Sequence, residues 1–301
     1  MGERIRLASR RANMSPNFAV HRLIVIKFSI LVWFFLTSIR LYMRTRTAYV
    51  GTIAAKELQG FGMCLVMGNG PSLNKLNFNS IALLQNSRKL EVFAVNFYPL
   101  MAQFDELVPN YLVLSDPETA PWSISERNQA LWRQIACHPQ MKIITPSSWH
   151  FKEKMSNCEA KSCLHFNDTS LEGFSKNIDP LRPRGYPSLT AYKAIAFANY
   201  LQFSEIFYIG IDNTMFKHVS VNSDNQIAFP SNHAQSGYAP TYFNDNYYEL
   251  GIGDVFYDLS EVFLGFRRSF KNLHLRNLDL DSLIDCSVKT EFIAETKVTK
   301  N

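Results

Sequence analysis

The segment Gly68-Asn69-Gly70-Pro71-Ser72-Leu73 carries more potential chemistry than any other part of this chain. It follows the apolar run MCLVM and precedes a stretch with helical spacing. Gly68 and Gly70 permit a tight turn and a close backbone approach. Pro71 suits the start of a helix, where Ser72 and free backbone N–H groups could meet a phosphate. Asn69 adds an amide able to bond a ribose, base or phosphate oxygen. The turn is not a P-loop, because no Gly-Lys-Ser/Thr follows, and it lacks the third glycine of the dinucleotide fingerprint. It therefore reads as a nucleotide-binding turn, with a purely structural turn as the alternative.

Such a turn needs strands and helices to hold it. MCLVMG at 63–68, EVFAVN at 91–96, YLVLSD at 111–116, KIITPS at 142–147 and EIFYIGID at 205–212 are short apolar runs, most of them closing on a polar or turn residue. Between them, 80–88, 124–137 and the Ala-rich 189–200 have helical spacing. The alternation predicts an α/β fold with a mostly parallel sheet and helices on both faces. Ligands of such sheets bind beyond the carboxyl ends of the strands. That is where Gly68–Ser72, Asn96, Asp116 and Asp212 fall. Residues 217–250 are rich in Asn, Ser, Gly, Pro and Tyr without periodicity, which predicts a lid-like insertion. Helical spacing resumes over 254–270, and NLHLRNL at 272–278 reads as a last strand.

Of 301 residues, 47% are hydrophobic and 19% charged, which excludes a disordered or collagen-like chain. Five cysteines are too few for a disulfide scaffold and are expected as reduced thiols. The charge is uneven. Residues 1–56 hold ten basic residues and one acid, Glu3, for a net +9, leaving −4 for residues 57–301. A nucleic-acid-binding body is therefore not expected. Within 1–56, the apolar run LIVIKFSILVWFFL is interrupted at Lys27 and flanked by Arg22 and Arg40. It predicts a membrane-associating helix, lying on an anionic surface or crossing it once, with a core or oligomer-interface helix as the alternative. The chain thus divides into this segment and a nucleotide-binding domain over 57–301.

Together, the strand with GNGPSL, VFAVN, VLSDP and the Ala-rich helix before EIFYIGID resemble the bacterial sialyltransferases of glycosyltransferase family 42. They also resemble the wider polysaccharide-locus proteins related to 6-hydroxymethylpterin diphosphokinases. The likeness runs from about residue 63 to 285 and is carried by the motifs. It implies a Rossmann-like domain in which Asn69–Ser72, Asn96 and Asp116 contact a nucleotide donor, together with a hydroxyl before the Ala-rich helix, Thr190 or Ser188. Asp116 replaces an Asn of the family pattern, and an acid suits ribose or metal contacts better. The family's tyrosine pair after its GID motif is missing, since Asn213, Thr214 and Met215 follow Asp212. Asp254, in the sequence Ile252-Gly253-Asp254, occupies the position of the family's histidine base. It is either the base, with its pKa raised by burial, or the N-cap of the following helix. His233, in the lid-like insertion, is the other candidate base.

The resemblance implies a glycosyltransferase of bacterial surface-polysaccharide synthesis, on the cytoplasmic face of the inner membrane. It would move a sugar, sialic acid-like or other, from a nucleotide donor, most simply CMP-linked, to a glycan or lipid-linked acceptor. No metal cofactor is required on this reading. One rival is a diphosphotransferase in which Asp116 and Asp212 hold Mg²⁺. The other is a non-catalytic nucleotide-binding relative. Asp279-Leu280-Asp281 imitates a glycosyltransferase metal motif but reads as turn and capping chemistry, far in sequence from the nucleotide turn.

Overall fold

The computed structural model describes residues 62–150, 163–172, 175–213, 217, 219–225, 227–229, 241–242 and 252–291, with a few positions between 28 and 39. Eight strands form one all-parallel sheet: β1 (Met63–Met67), β2 (Leu90–Val95), β3 (Tyr111–Val113), β4 (Lys142–Pro146), β5 (Cys163–Phe166), β6 (Glu205–Ile209), β10 (Leu275–Asn277) and β11 (Val288–Lys289). Their spatial order is β11-β10-β6-β1-β2-β3-β4-β5. The principal helices are α1 (Phe78–Asn86), α2 (Glu126–Cys137), α3 (Ser147–His150), α4 (Thr190–Tyr200) and α5 (Ile252–Phe270).

Local chemistry sets the helix ends. The Asn77 side chain accepts from Ser80 N at 3.0 Å and starts α1, while Ser125 accepts from Asn128 N at 3.2 Å and starts α2. Arg88 and Gln202, each at positive φ, turn the chain back after α1 and α4.

Neighbouring residues of a strand face opposite sides of the sheet, so continuous apolar strands feed two cores. On one side Cys64, Val66, Phe93, Val95, Ile206 and Tyr208 pack against α4 and against Phe266 and Phe270 of α5. On the other, Leu65, Met67, Val92, Ala94 and Leu112 pack against Phe78 and Ile81 of α1 and Leu131 and Ile135 of α2. The small Ala194, Ala196 and Ala198 are fully buried, and α4 packs across β1, β2, β3 and β6.

The insertion expected as an irregular lid contains a small antiparallel sheet, β7 (Ser220–Val221), β8 (Ile227–Phe229) and β9 (Thr241–Tyr242), in the order β7-β8-β9. Its composition gives no alternation strong enough to announce strands of two or three residues. The described residues Phe28, Leu31, Val32, Phe35, Leu36 and Ile39 are helical and exposed, at a spacing that puts them on one helix face. Among the described residues, no helix is long and apolar enough to cross a membrane.

Candidate functional site

The chain runs outward from β1 through β2, β3, β4 and β5, then returns to place β6 on the other side of β1. Loops leaving β1 and β6 on opposite courses open a crevice at their carboxyl ends. A cleft of about 400 Å³ lies there, within the size range of small-molecule sites. Gly68, Asn69, Gly70, Pro71, Asn96, Asp116, Ser188, Thr190 and Asp212 all line it. Of the binding residues expected from sequence, Ser72 alone does not.

Ser72 is buried behind the turn. Its N–H donates to Asp212 Oδ1 at 3.1 Å, and its hydroxyl accepts from Gly210 N at 2.9 Å. Gly68 N donates to the Ile209 carbonyl and Gly70 N to the Gly210 carbonyl, both at 2.8 Å. These groups fasten the turn after β1 to the turn after β6, so Ser72 and the Gly68 and Gly70 amides, expected to face a phosphate, bond to protein instead. The glycines serve the same fastening. A Cβ on Gly68 would sit 2.2 Å from the Gly210 carbonyl oxygen, and one on Gly70 would sit 1.8 Å from Asp212 Oδ2. Asn69 lines the cleft: Nδ2 reaches the Val95 carbonyl at 3.4 Å, and Oδ1 is buried without a hydrogen-bond partner.

Asn96 ends β2 at φ 46°, a left-handed conformation that Asn tolerates better than most residues. Its Nδ2 donates to Thr190 Oγ1 at 3.1 Å, and its Oδ1 accepts from Ser115 N at 3.3 Å and Asp116 N at 3.4 Å. Ser115 Oγ lies 2.6 Å from Thr190 Oγ1. The three side chains form a clasp joining the ends of β2 and β3 to the start of α4, on the cleft wall. Asp116 is exposed on the rim, and its Oδ1 accepts from Glu118 N at 2.9 Å.

Asp212 is 8% exposed, with Oδ1 on Ser72 N and Oδ2 buried. Burial, with the neighbouring Asp279 carboxyl, raises its pKa to about 6 against the opposing pull of Ser72. Asp279 and Asp281 are held by Lys75 Nζ at 3.0 and 2.7 Å. Asp279 also accepts from Asp281 N, which is capping chemistry, yet the fold brings this turn behind the Gly68–Ser72 turn. Among the described residues, no group of three or more His, Cys, Asp or Glu converges to hold a metal ion.

Residues the sequence reading overlooked complete the wall. Ser115 lines the cleft, as does Asn213, whose Nδ2 donates to Tyr192 OH at 2.9 Å. Lys193 is 4% exposed and donates to Ser188 Oγ at 3.1 Å. Burial first, and then the Arg184 charge, lower its pKa to about 7, while Asp168 and Asp116 oppose the shift. A lone lysine in the otherwise apolar run TAYKAIAFA was the available signal.

Asp254 is the third residue of α5, inside its first turn, so it is not the N-cap that the sequence suggested; its side chain lies outside the described residues. His233 also lies outside them. No protein-family model matches the chain, and no curated protein or solved structure is significantly similar to it.

Proposed function

We propose that this chain is a glycosyltransferase with a Rossmann-like nucleotide domain. It moves a sugar from a nucleotide donor, CMP-linked in the simplest case, to a glycan or lipid-linked acceptor in bacterial surface-polysaccharide synthesis. One observation carries the reading. Asn69, Asn96, Asp116 and Thr190, which the sialyltransferase resemblance assigns to the donor, come from four separate segments yet line a single cleft at the switch point of the sheet. In this reading, Asn69 and Asp116 meet the nucleoside, and the clasped Asn96 and Thr190 shape the wall. Asp254 takes the acceptor's hydroxyl proton, with His233 as the substitute. The basic segment and the apolar helix face at 28–39 hold the enzyme on an anionic membrane, where a lipid-linked acceptor resides.

A thermal-shift screen of CMP, CDP, UDP, GDP and ATP, with and without Mg²⁺, tests the reading, because a ligand of the native state raises its stability. A cytidine nucleotide should raise the melting temperature without Mg²⁺. A response to ATP that requires Mg²⁺ would replace this reading with the diphosphotransferase. Cytidine-nucleotide binding with no turnover of any donor sugar would leave a binding protein.

A further inference from the structure

A phosphate entering the cleft finds most of the Gly-rich turn occupied, since Gly68 N, Gly70 N and Ser72 N all donate to protein acceptors. The opposite wall is different. There α4 begins at Thr190 after Leu189, which contributes no side-chain cap. The first intrahelical acceptor, the Leu189 carbonyl, is reached only by Tyr192 N and Lys193 N. The amides of Thr190 and Ala191 therefore precede the helical ladder, and both residues line the cleft.

An independent feature stands behind the same wall. Lys193 is a buried amine with the Phe166 ring 5.3 Å away, and among the described residues it has no carboxylate in ion-pair contact. A buried ammonium without a counter-charge is costly, and a bound anion removes that cost. Its hydrogen bond goes to Ser188 Oγ, and Ser188 is exposed on the cleft. With one lone pair taken by Lys193, the Ser188 O–H is left to point away from the amine.

We propose that Ser188, backed by Lys193, and the first amides of α4 form an anion site that takes the phosphate of the cleft's ligand. Its assignment to a nucleotide phosphate rests on the donor reading above. The site is a chain of donors, from Lys193 Nζ to Ser188 Oγ and from the Ser188 hydroxyl to a phosphate oxygen, with the Thr190 and Ala191 amides alongside. The charged groups facing Lys193 are Arg184, Asp168 and Asp116. Arg184 is tied to the Tyr186 carbonyl and lies 3.5 Å from Glu172, Asp168 accepts from Ser148 Oγ at 2.6 Å, and Asp116 is at the rim. In the empty cleft Lys193 titrates near neutrality, so a phosphate dianion recharges it and binding takes up a proton.

Calorimetry with pyrophosphate, CMP and cytidine, in buffers of different ionisation heat at pH 7.5, tests this on the full chain, Lys193→Met and Ser188→Ala. In wild type, pyrophosphate and CMP should bind with proton uptake. The Kd for CMP should rise about tenfold from pH 7.5 to 8.5, where its phosphate is already dianionic. Each substitution should weaken both anions roughly tenfold or more and leave cytidine unchanged. Lys193→Met should abolish proton uptake. Ser188→Ala, at an exposed position, decides the matter should Lys193→Met not fold. Lys193-dependent binding of pyrophosphate without any nucleotide preference supports the anion site and removes the donor reading. Undiminished CMP and pyrophosphate binding in both variants overturns the site and leaves the donor reading standing. A wild type that binds neither pyrophosphate nor any nucleotide overturns both.

Discussion

Asp212 and Asp254 show how differently two carboxylates can be placed. Asp212 lines the cleft nearly buried, and burial and Asp279 raise its pKa from 3.8 to about 6. The folded chain therefore holds a proton that the unfolded chain releases between those values. The stability this confers is present at acid pH and is lost as pH rises through 6. Asp212→Asn keeps an acceptor for Ser72 N and supplies an N–H toward Asp279. Its stability should match wild type near pH 3.5, below the unfolded pKa, and exceed it by about 1–3 kcal/mol at pH 8. Urea denaturation at the two pH values measures the difference, and equal gaps at both would remove the proton from Asp212. Asp254 lies in the first turn of α5, where an acid favours the helix dipole without acting as the cap. Asp254→Asn should lower sugar transfer by roughly 10²–10⁴-fold while nucleotide affinity and melting temperature hardly move. Undiminished turnover in that variant would pass the base role to His233.

At the scale of elements, the turns after β1 and β6 are fastened to each other along the cleft. Gly70→Ala forces a Cβ to within 2.7 Å of the Gly210 carbonyl oxygen as well as against Asp212. It should cost at least about 1–3 kcal/mol. A lower urea midpoint at unchanged slope is the expected signature. Gly253→Ala is the contrast: it meets nothing within 4 Å, near the start of α5, and should be neutral or stabilising by up to about 1 kcal/mol. The clasp of Asn96, Ser115 and Thr190 couples β2, β3 and α4 in the same way. Thr190→Val keeps the shape but leaves Asn96 Nδ2 and Ser115 Oγ without that partner. A loss of about 1–3 kcal/mol is expected, together with weaker nucleotide binding, read by titration of the same sample.

For the whole molecule, charge and apolar surface divide along the chain. Residues 1–56 carry +9 against −4 for the remainder, and the exposed Phe28, Leu31, Val32, Phe35, Leu36 and Ile39 lie within that basic segment. Full-length protein should sediment with vesicles containing anionic lipid and be released by high salt. Deletion of residues 1–46 should leave a folded, nucleotide-binding body in the supernatant. An insoluble truncated body would instead make the segment part of the core.

The alternation of apolar runs with helical stretches was enough to set out the parallel sheet, because strands buried on both faces must be apolar throughout. Polar residues at strand ends were legible for the same reason, which is why Asn69, Asn96, Asp116 and Asp212 stand out in the sequence. What those residues bond to was not legible. Ser72 and Gly70 read as a phosphate cradle, yet they fasten one turn to another whose partners, Gly210 and Asp212, lie about 140 positions along the chain. Ser188 was legible only through the resemblance, and Lys193 gave almost no signal, since a lysine in an Ala-rich helix looks the same whether it faces water or a serine hydroxyl. Short strands such as β7, β8 and β11 escaped because two or three residues carry too little periodicity. Element type follows from local sequence through side-chain periodicity and propensity. Burial, hydrogen-bond partners and pKa arise only when distant segments are brought together, and the tertiary structure alone decides them.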